Sequence, residues 1–301
     1  MHILLIAGGW SEERQVSING ARQIRKALTD LGHQVDFFDL KPDFSTLVTA
    51  ARKADAAFIN LHGNPGEDGS IQALLDDIGL PYQGAGPLGS FQALNKNLSK
   101  QIFANHHLPT PGWTMLTGNS STSPLNINYP LVAKPNLGGS SLGMSFLSSS
   151  QELKSLINSH NPCPGEIILE EYISGIELTC AVLGDEALPP ILIKPGKSFF
   201  FDYASKYEPD GAQEICPAPV DRAIVSKVSQ LALEAHQVLG LRHYSRTDFI
   251  LDKNSNLFIL ETNTLPGMTQ TSLLPKAALS AGFEFTALIN RLLAMAVSPN
   301  T

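Results

Sequence analysis

The side chains with the clearest chemical potential lie in one hairpin near the C-terminal end. In YSRTDFILD, Arg246 and Asp248 are two residues apart and share a face of a strand; in LETN, Glu261 and Asn263 do the same. If Lys253–Asn256 forms the turn, residue 252 faces 257, Asp248 lies opposite Glu261, and Arg246 lies opposite Asn263. Two facing carboxylates repel unless a cation joins them, so the patch invites a hard, oxygen-bound ion, most simply Mg²⁺. The plainer alternative is a polar strand face with Arg246 as counter-ion, and a one-residue slip would destroy the pairing altogether.

A second stretch, KPNLGGSSLG at Lys134–Gly143, brings a lysine at the end of an apolar strand into a loop with Gly138, Gly139, Ser140 and Ser141 together. Such a loop offers backbone N–H groups and hydroxyls to phosphate oxygens at little steric cost, or is simply a flexible surface turn. A strand follows it rather than a helix, and the single GK[ST] tripeptide, Gly196–Ser198, lacks the earlier glycine because Ile191 stands there, so a P-loop is excluded. Between Asp77 and Glu152 there is no acidic residue, while Lys96, Lys100 and Lys134 fall inside that interval. Clearing carboxylates from one region favours a polyanion there. Gly84–Gly89 matches GxGxxG but has no acidic residue about 20 positions on to hold a ribose, and reads as a tight connection. No GxSxG marks a serine nucleophile near Ser11 or Ser17. His62, between an apolar segment and Gly63, is placed for ligand contact or for a structural role.

These residues need a scaffold, and the periodicity supplies one. Strands are predicted at His2–Ala7, Gln34–Leu40 and Ala56–Leu61, with helices at Val16–Leu31, Phe44–Arg52 and Glu67–Ile78. Strand–helix alternation implies a parallel sheet, with ligands at its carboxyl ends near Gly8–Arg14 and His62–Gly69. Further on, strands are predicted at Leu131–Lys134, Met144–Leu147, Glu166–Tyr172, Ile176–Leu183 and Leu188–Lys194, with helices at Gln151–Asn158 and Arg222–Leu239. Phe199–Pro219 has no period and reads as a long loop of the kind that serves as a lid. Two helices close the chain.

The 301 residues are 43% hydrophobic and 16% charged, enough apolar material for more than one core. A net charge of −7 argues against nucleic-acid or anionic-membrane binding through bulk charge. Cys163, Cys180 and Cys216 have neither zinc nor CxxC spacing and read as reduced thiols. No apolar run reaches the length of a membrane span, and MHILLIAGG is not a secretory leader, so a cytoplasmic protein is expected.

GGWSEERQVS, HGNPGEDGSIQ, LPYQGAG, LNKNLSK, LPTPGW, LVAKPNLGGSSLGM, ILEEYISGIELTCAVLG, FFDYASKY, YSRTDFILD and LETNTLPGMTQTSLLPKAA occur in the order found in D-alanine–D-alanine ligases. From Ile3 to about Ala296 the chain resembles that family, of the ATP-grasp superfamily. The resemblance implies an α/β fold of three parts: an N-terminal parallel-sheet domain (1–94), a small central antiparallel lobe (95–174), and a larger C-terminal lobe (175–301) with the lid at 199–219. It implies ATP-dependent joining of two D-alanines through an acyl phosphate, for the cell wall, by a homodimer. Lys96, Lys134, Ser140 and Ser141 match nucleotide contacts at the phosphate end. Glu170 and the Glu171–Tyr172–Ile173 backbone match the adenine hinge, Glu177 the ribose contact, and Leu260 and Glu261 further nucleotide contacts. Asp248, Glu261 and Asn263 match ligands of two Mg²⁺ ions, for which Mn²⁺ can stand in; a monovalent cation is compatible. Glu13 and His62 match the site of the first D-alanine's ammonium, and Ser272 with the Leu273 backbone that of the second carboxylate. Arg246 and the Gly267 backbone match the oxyanion donors. Lys206 assists transfer, and Tyr207 and Ser140 link with Glu13 to close the lid. Gly138, Phe201 and Asn95 depart from the residues common in the family. The alternatives are D-serine or D-lactate as second substrate, disfavoured for lactate by Lys206–Tyr207, or a nucleotide-binding regulator without catalysis.

Overall fold

A computed structural model describes residues 1–116, 127–139, 143–158, 166–194 and 212–298. Ser140, Ser141, Cys163, Phe201, Lys206 and Tyr207 lie outside these residues. The N-terminal part is a parallel sheet. β1 (His2–Gly8) is central, paired on one side with β2 (Gln34–Leu40) and on the other with β3 (Ala56–Ile59). β1 is buried almost throughout, as a strand covered on both faces must be, while β2 is a half-exposed edge. α1 (Arg14–Asp30) buries Ala21, Ile24 and Leu28 on the sheet, and α2 (Phe44–Ala51) is capped by Asp43, whose carboxylate accepts from Ser45 N–H. α3 (Ser70–Ile78) starts three residues later than the periodicity of Glu67–Ile78 suggests. Gly69, at φ +89°, breaks the helix, and Asp68 accepts from Ser70 N–H.

Two helices lacking a strong apolar stripe follow, α4 (Pro87–Leu94) and α5 (Lys96–Asn105). Gly86 and Pro87 start the first, so the GxGxxG segment is indeed a connection. Its backbone serves the protein itself: Gly84 N–H donates to His243 Nδ1, and Gly84 O accepts from Arg242 Nε. Asn95 caps α5 by accepting from Leu98 N–H.

The middle of the chain forms an antiparallel sheet in the order β4-β7-β5-β6, from β4 (Trp113–Leu116), β5 (Leu131–Pro135), β6 (Ser145–Leu147) and β7 (Ile167–Glu171), with α6 (Ser150–Asn158) beside it. The third sheet runs β11-β10-β8-β12-β13, built from β8 (Gly175–Leu183), β10 (Ile191–Lys194), β11 (Gln213–Ile215), β12 (Tyr244–Asp252) and β13 (Leu257–Asn263), with the short β9 (Glu186–Ala187) on β8. The expected strand Leu188–Lys194 is shortened because Pro189 and Pro190 have no N–H for the ladder. Nor is the predicted 199–219 loop structureless: Gln213–Ile215 pairs with Leu192–Lys194, a run too short to show a period. α7 (Arg222–Val238), α8 (Leu273–Ser280) and α9 (Phe285–Val297) complete the described chain. The largest core joins the first sheet to α8, α9 and one face of the third sheet, so the N- and C-terminal parts share buried side chains. No helix among the described residues is long and apolar enough to cross a membrane.

Candidate functional site

Glu13, His62, Lys96, Gly138, Arg246, Glu261, Asn263, Gly267, Ser272 and Leu273 all line one cleft that opens to solvent. They come from four places: the carboxyl ends of β1 and β3, the start of α5, the glycine loop after β5, and the β12–β13 hairpin with the turn leading to α8. In an open parallel sheet with order 2-1-3, a ligand crevice is expected at the carboxyl ends of β1 and β3. Ser17 ties those ends together, accepting from Gly8 N–H and donating to Asn60 O. Ser11 Oγ donates to His62 O at 2.7 Å. A Cβ on Gly139 would stand 3.6 Å from Glu13 Oε2, so the glycine loop reaches the N-terminal sheet.

The hairpin has the expected facing pairs, Asp248 with Glu261 and Arg246 with Asn263, by a different route. The turn leaves Leu251 opposite Leu257, one place off the expected register, and a bulge at Leu260 restores the pairing beyond it. Arg246 grips Asp248 with two bonds, Nε to Oδ1 at 3.0 Å and Nη2 to Oδ2 at 2.8 Å, and Thr179 Oγ1 donates to Asp248 Oδ1 at 2.6 Å. Lys96 Nζ lies 3.4 Å from Glu261 and donates to Gly138 O at 2.5 Å. Among the described residues no three His, Cys, Asp or Glu side chains form a metal cluster. An ion here therefore needs the amide oxygen of Asn263 as well as the two carboxylates, an all-oxygen set that fits Mg²⁺ with substrate oxygens completing its shell.

His62 is buried, and burial pushes its imidazolium down, against the Glu13 charge and the Leu265 carbonyl. Its Nδ1 lies 3.1 Å from Leu265 O, which can only accept, so the neutral ring carries its proton on Nδ1. Nε2 is then a buried acceptor with no hydrogen-bond partner. Glu67, also in the cleft, is pushed up to about 8 by burial and by the Glu13 charge. The sequence shows Glu67 within HGNPGEDG but assigns it no role, since its acidic type alone does not reveal that it is held neutral.

At the far end Ser272 stands at the N-cap position of α8 without a side-chain capping bond, and it lines the cleft with Leu273, so the start of α8 there is a natural carboxylate site. A Cβ on Gly267 would sit 3.0 Å from Ser272 Oγ, which explains the glycine there. Glu214, from β11, lines the cleft and pairs with Lys276 of α8 at 2.5 Å, a contact that the expectation of a lid at 199–219 does not include.

The residues expected around the base lie apart from the cleft lining. Lys134 Nζ is 2.7 Å from Glu170 Oε2. Of the hinge amides, Glu171 N–H goes to Gly112 O and Tyr172 N–H to Pro130 O, so those two are occupied by the protein's own backbone. Glu177, on β8, faces Ile193 and Ile250 across the sheet.

A family model described as "D-ala D-ala ligase C-terminus" matches residues 102–294. The D-alanine–D-alanine ligase of Nitratidesulfovibrio vulgaris (strain Hildenborough) is 52% identical, with 99% of each chain covered. That of Lawsonia intracellularis is 45% identical over 99% of this chain and 98% of its own. The crystal structure of the Bacillus anthracis D-alanine–D-alanine ligase complexed with ATP superposes with a TM-score of 0.88 at 31% identity, covering 99% of this chain and 97% of that one.

Proposed function

The chain belongs to the D-alanine–D-alanine ligase family, of ATP-grasp fold, and from that premise we propose how its residues divide the work. The protein is an ATP-dependent ligase that joins two D-alanines into D-alanyl-D-alanine for peptidoglycan synthesis, releasing ADP and phosphate. A carboxylate oxygen of the first D-alanine attacks the γ-phosphorus and the bond to ADP breaks. The amine of the second D-alanine, having lost a proton, then attacks the acyl carbon, and phosphate leaves.

Glu13 and the bare Nε2 of His62 receive the first ammonium, with Glu67 neutral beside them. Lys96, Lys134 and Lys206, with Ser140 and Ser141, hold the phosphates; phosphoryl transfer needs such positioning and charge neutralisation above all. Asp248, Glu261 and Asn263 would hold the Mg²⁺ ions, or Mn²⁺, which supply charge stabilisation to the transferring phosphoryl group. Arg246, oriented by its two bonds to Asp248, and Gly267 N–H aim at the oxyanion. Ser272 and the Leu273 N–H take the second carboxylate. Glu170, the Ile173 N–H, Glu177 and Leu260 meet adenine and ribose. Tyr207, Ser140 and Glu13 close the 199–219 lid, which keeps water from the acyl phosphate. Division at residues 94 and 174, a homodimer and a cytoplasmic location belong to the same reading.

The observation that supports this assignment is the convergence on one cleft of Glu13 and His62, the Arg246, Glu261 and Asn263 side chains of the hairpin, and the start of α8. It is tested by phosphate release with Mg-ATP and D-alanine, with D-serine or D-lactate in parallel. Release requiring D-alanine and yielding the dipeptide is expected. Release without D-alanine, or a mixed product with D-lactate as the main species, would overturn the substrate assignment.

A further inference from the structure

Beneath the base-binding end lies a buried charge cluster that the roles above leave unexplained. Lys100, one turn along α5 from Lys96, has no exposed surface. Its Nζ is 3.2 Å from Glu170 Oε1, donates to Thr110 Oγ1 at 2.6 Å, and lies 5.8 Å from the centre of the Trp113 ring. Thr110 Oγ1 in turn donates to Ile259 O at 2.9 Å, two residues before Glu261. Lys100 therefore connects α5, the central sheet and the metal-side hairpin through three contacts. Glu170 faces two lysines, Lys100 from α5 and Lys134 from β5, while the Glu261 charge acts on both lysines from β13. Burial pushes Glu170 up, and the two lysine charges outweigh it, so its carboxyl stays below the ordinary value. Burial pushes Lys100 down to about 8, against the Glu170 charge.

If Lys134 serves the phosphates, as the function above has it, Glu170 then depends on Lys100 alone. A buried carboxylate that loses its cations takes up a proton. Ionised, Glu170 can only accept, so it pairs with the exocyclic amine of adenine and repels a carbonyl oxygen at the same position. Protonated, it can donate to that carbonyl.

We propose that Lys100 is a positioning residue that acts through Glu170, keeping it ionised and in place so that the site selects a 6-amino purine over a 6-oxo purine. This rests on the reading of Glu170 as an adenine contact, and the test separates the two. D-Alanine-dependent phosphate release is measured with ATP and with ITP, which carries a carbonyl in place of the amine, for Lys100→Met, Glu170→Gln and the double variant. The readout is the ratio of kcat/KM for ATP to that for ITP, which cancels any loss of folded enzyme. Sites built to hydrogen-bond a substrate group discriminate by large factors, so a fall of about tenfold or more is expected for Lys100→Met. Glu170→Gln lowers the ratio likewise, and the double variant matches Glu170→Gln to within about twofold, because residues acting through one another are not additive.

A Lys100→Met enzyme with the wild-type ratio, while Glu170→Gln changes it, overturns the role of Lys100. An unchanged ratio in Glu170→Gln overturns the adenine reading and the proposal with it. Should Lys100→Met fail to fold, Lys100→Gln is read in its place, alone and with Glu170→Gln: a fall of about tenfold that the double variant does not deepen supports action through Glu170, and a wild-type ratio or a deeper fall in the double variant refutes it.

Discussion

Replacing Glu67 with glutamine isolates a single carboxyl whose titration the fold has moved far from its ordinary range. Burial is the main cause and the Glu13 charge the next, with Glu261 adding, and the Gly63 backbone and Lys96 offset only part; together they raise it from 4.5 to about 8. The unfolded chain releases this proton near 4.5 and the folded protein holds it to about 8. Stability from this group is therefore fully present below about 4.5 and is lost as pH rises through 8. A tenfold difference in proton affinity between the folded and unfolded chain corresponds to about 1.4 kcal/mol, which bounds the total near ~5 kcal/mol. Integrated between about pH 5.5 and about pH 8.5 the loss is about 3 kcal/mol. Glutamine mimics the protonated form and does not titrate, so the variant should gain about 3 kcal/mol on the wild type over that interval. Urea denaturation of the metal-free protein at about pH 5.5, 7 and 8.5 measures it. A difference between variant and wild type that stays flat within about 0.5 kcal/mol would show that burial does not hold the proton. The proposed pairing of the first ammonium with Glu13 is tested in the same cleft. Glu13→Gln should raise KM for D-alanine roughly ten- to a hundredfold near neutral pH, the worth of one charged hydrogen bond, and Glu67→Gln much less.

Arg246→Lys keeps the charge but loses the fork that grips Asp248; kcat should fall about a hundredfold with KM for ATP little changed, and near-normal turnover would remove Arg246 from the oxyanion. Gly267→Ala drives a methyl to 3.0 Å from Ser272 Oγ, so KM for the second D-alanine should rise more than that for the first. Gly69→Ala places Cβ 2.4 Å from Pro87 O at φ +89° and should cost about 2–4 kcal/mol in urea denaturation. Chelation of divalent ions should abolish phosphate release, and Mg²⁺ should restore it; release that persists in chelator would refute the metal reading of Asp248, Glu261 and Asn263.

Much of the site is legible in the sequence because it rests on local geometry. Alternation places Arg246 with Asp248 and Glu261 with Asn263, and the facing pairs follow once a hairpin is granted. Yet the folded chain reaches those pairs through two compensating departures: the turn shifts the register by one and the bulge at Leu260 shifts it back. Nothing in the residue types between 252 and 263 announces a bulge, since its cost is set by how the strand bends within the sheet. Elements with weak periodicity are hidden for a similar reason. α4, α5 and β11 are held by caps and by pairing with distant strands more than by an apolar stripe of their own.

What the sequence by itself determines is the inventory and its order: a parallel sheet before a run of further strands, a lysine before a glycine loop, and oxygen-donor side chains with an arginine on one hairpin. What only the tertiary structure decides is the charge each group carries. Glu67 is neutral, His62 presents a bare Nε2, and Glu170 stays ionised between two lysines, because each state depends on burial and on partners from distant parts of the chain. Desolvation and Coulomb interaction depend on distance in space, and only the folded chain fixes that distance.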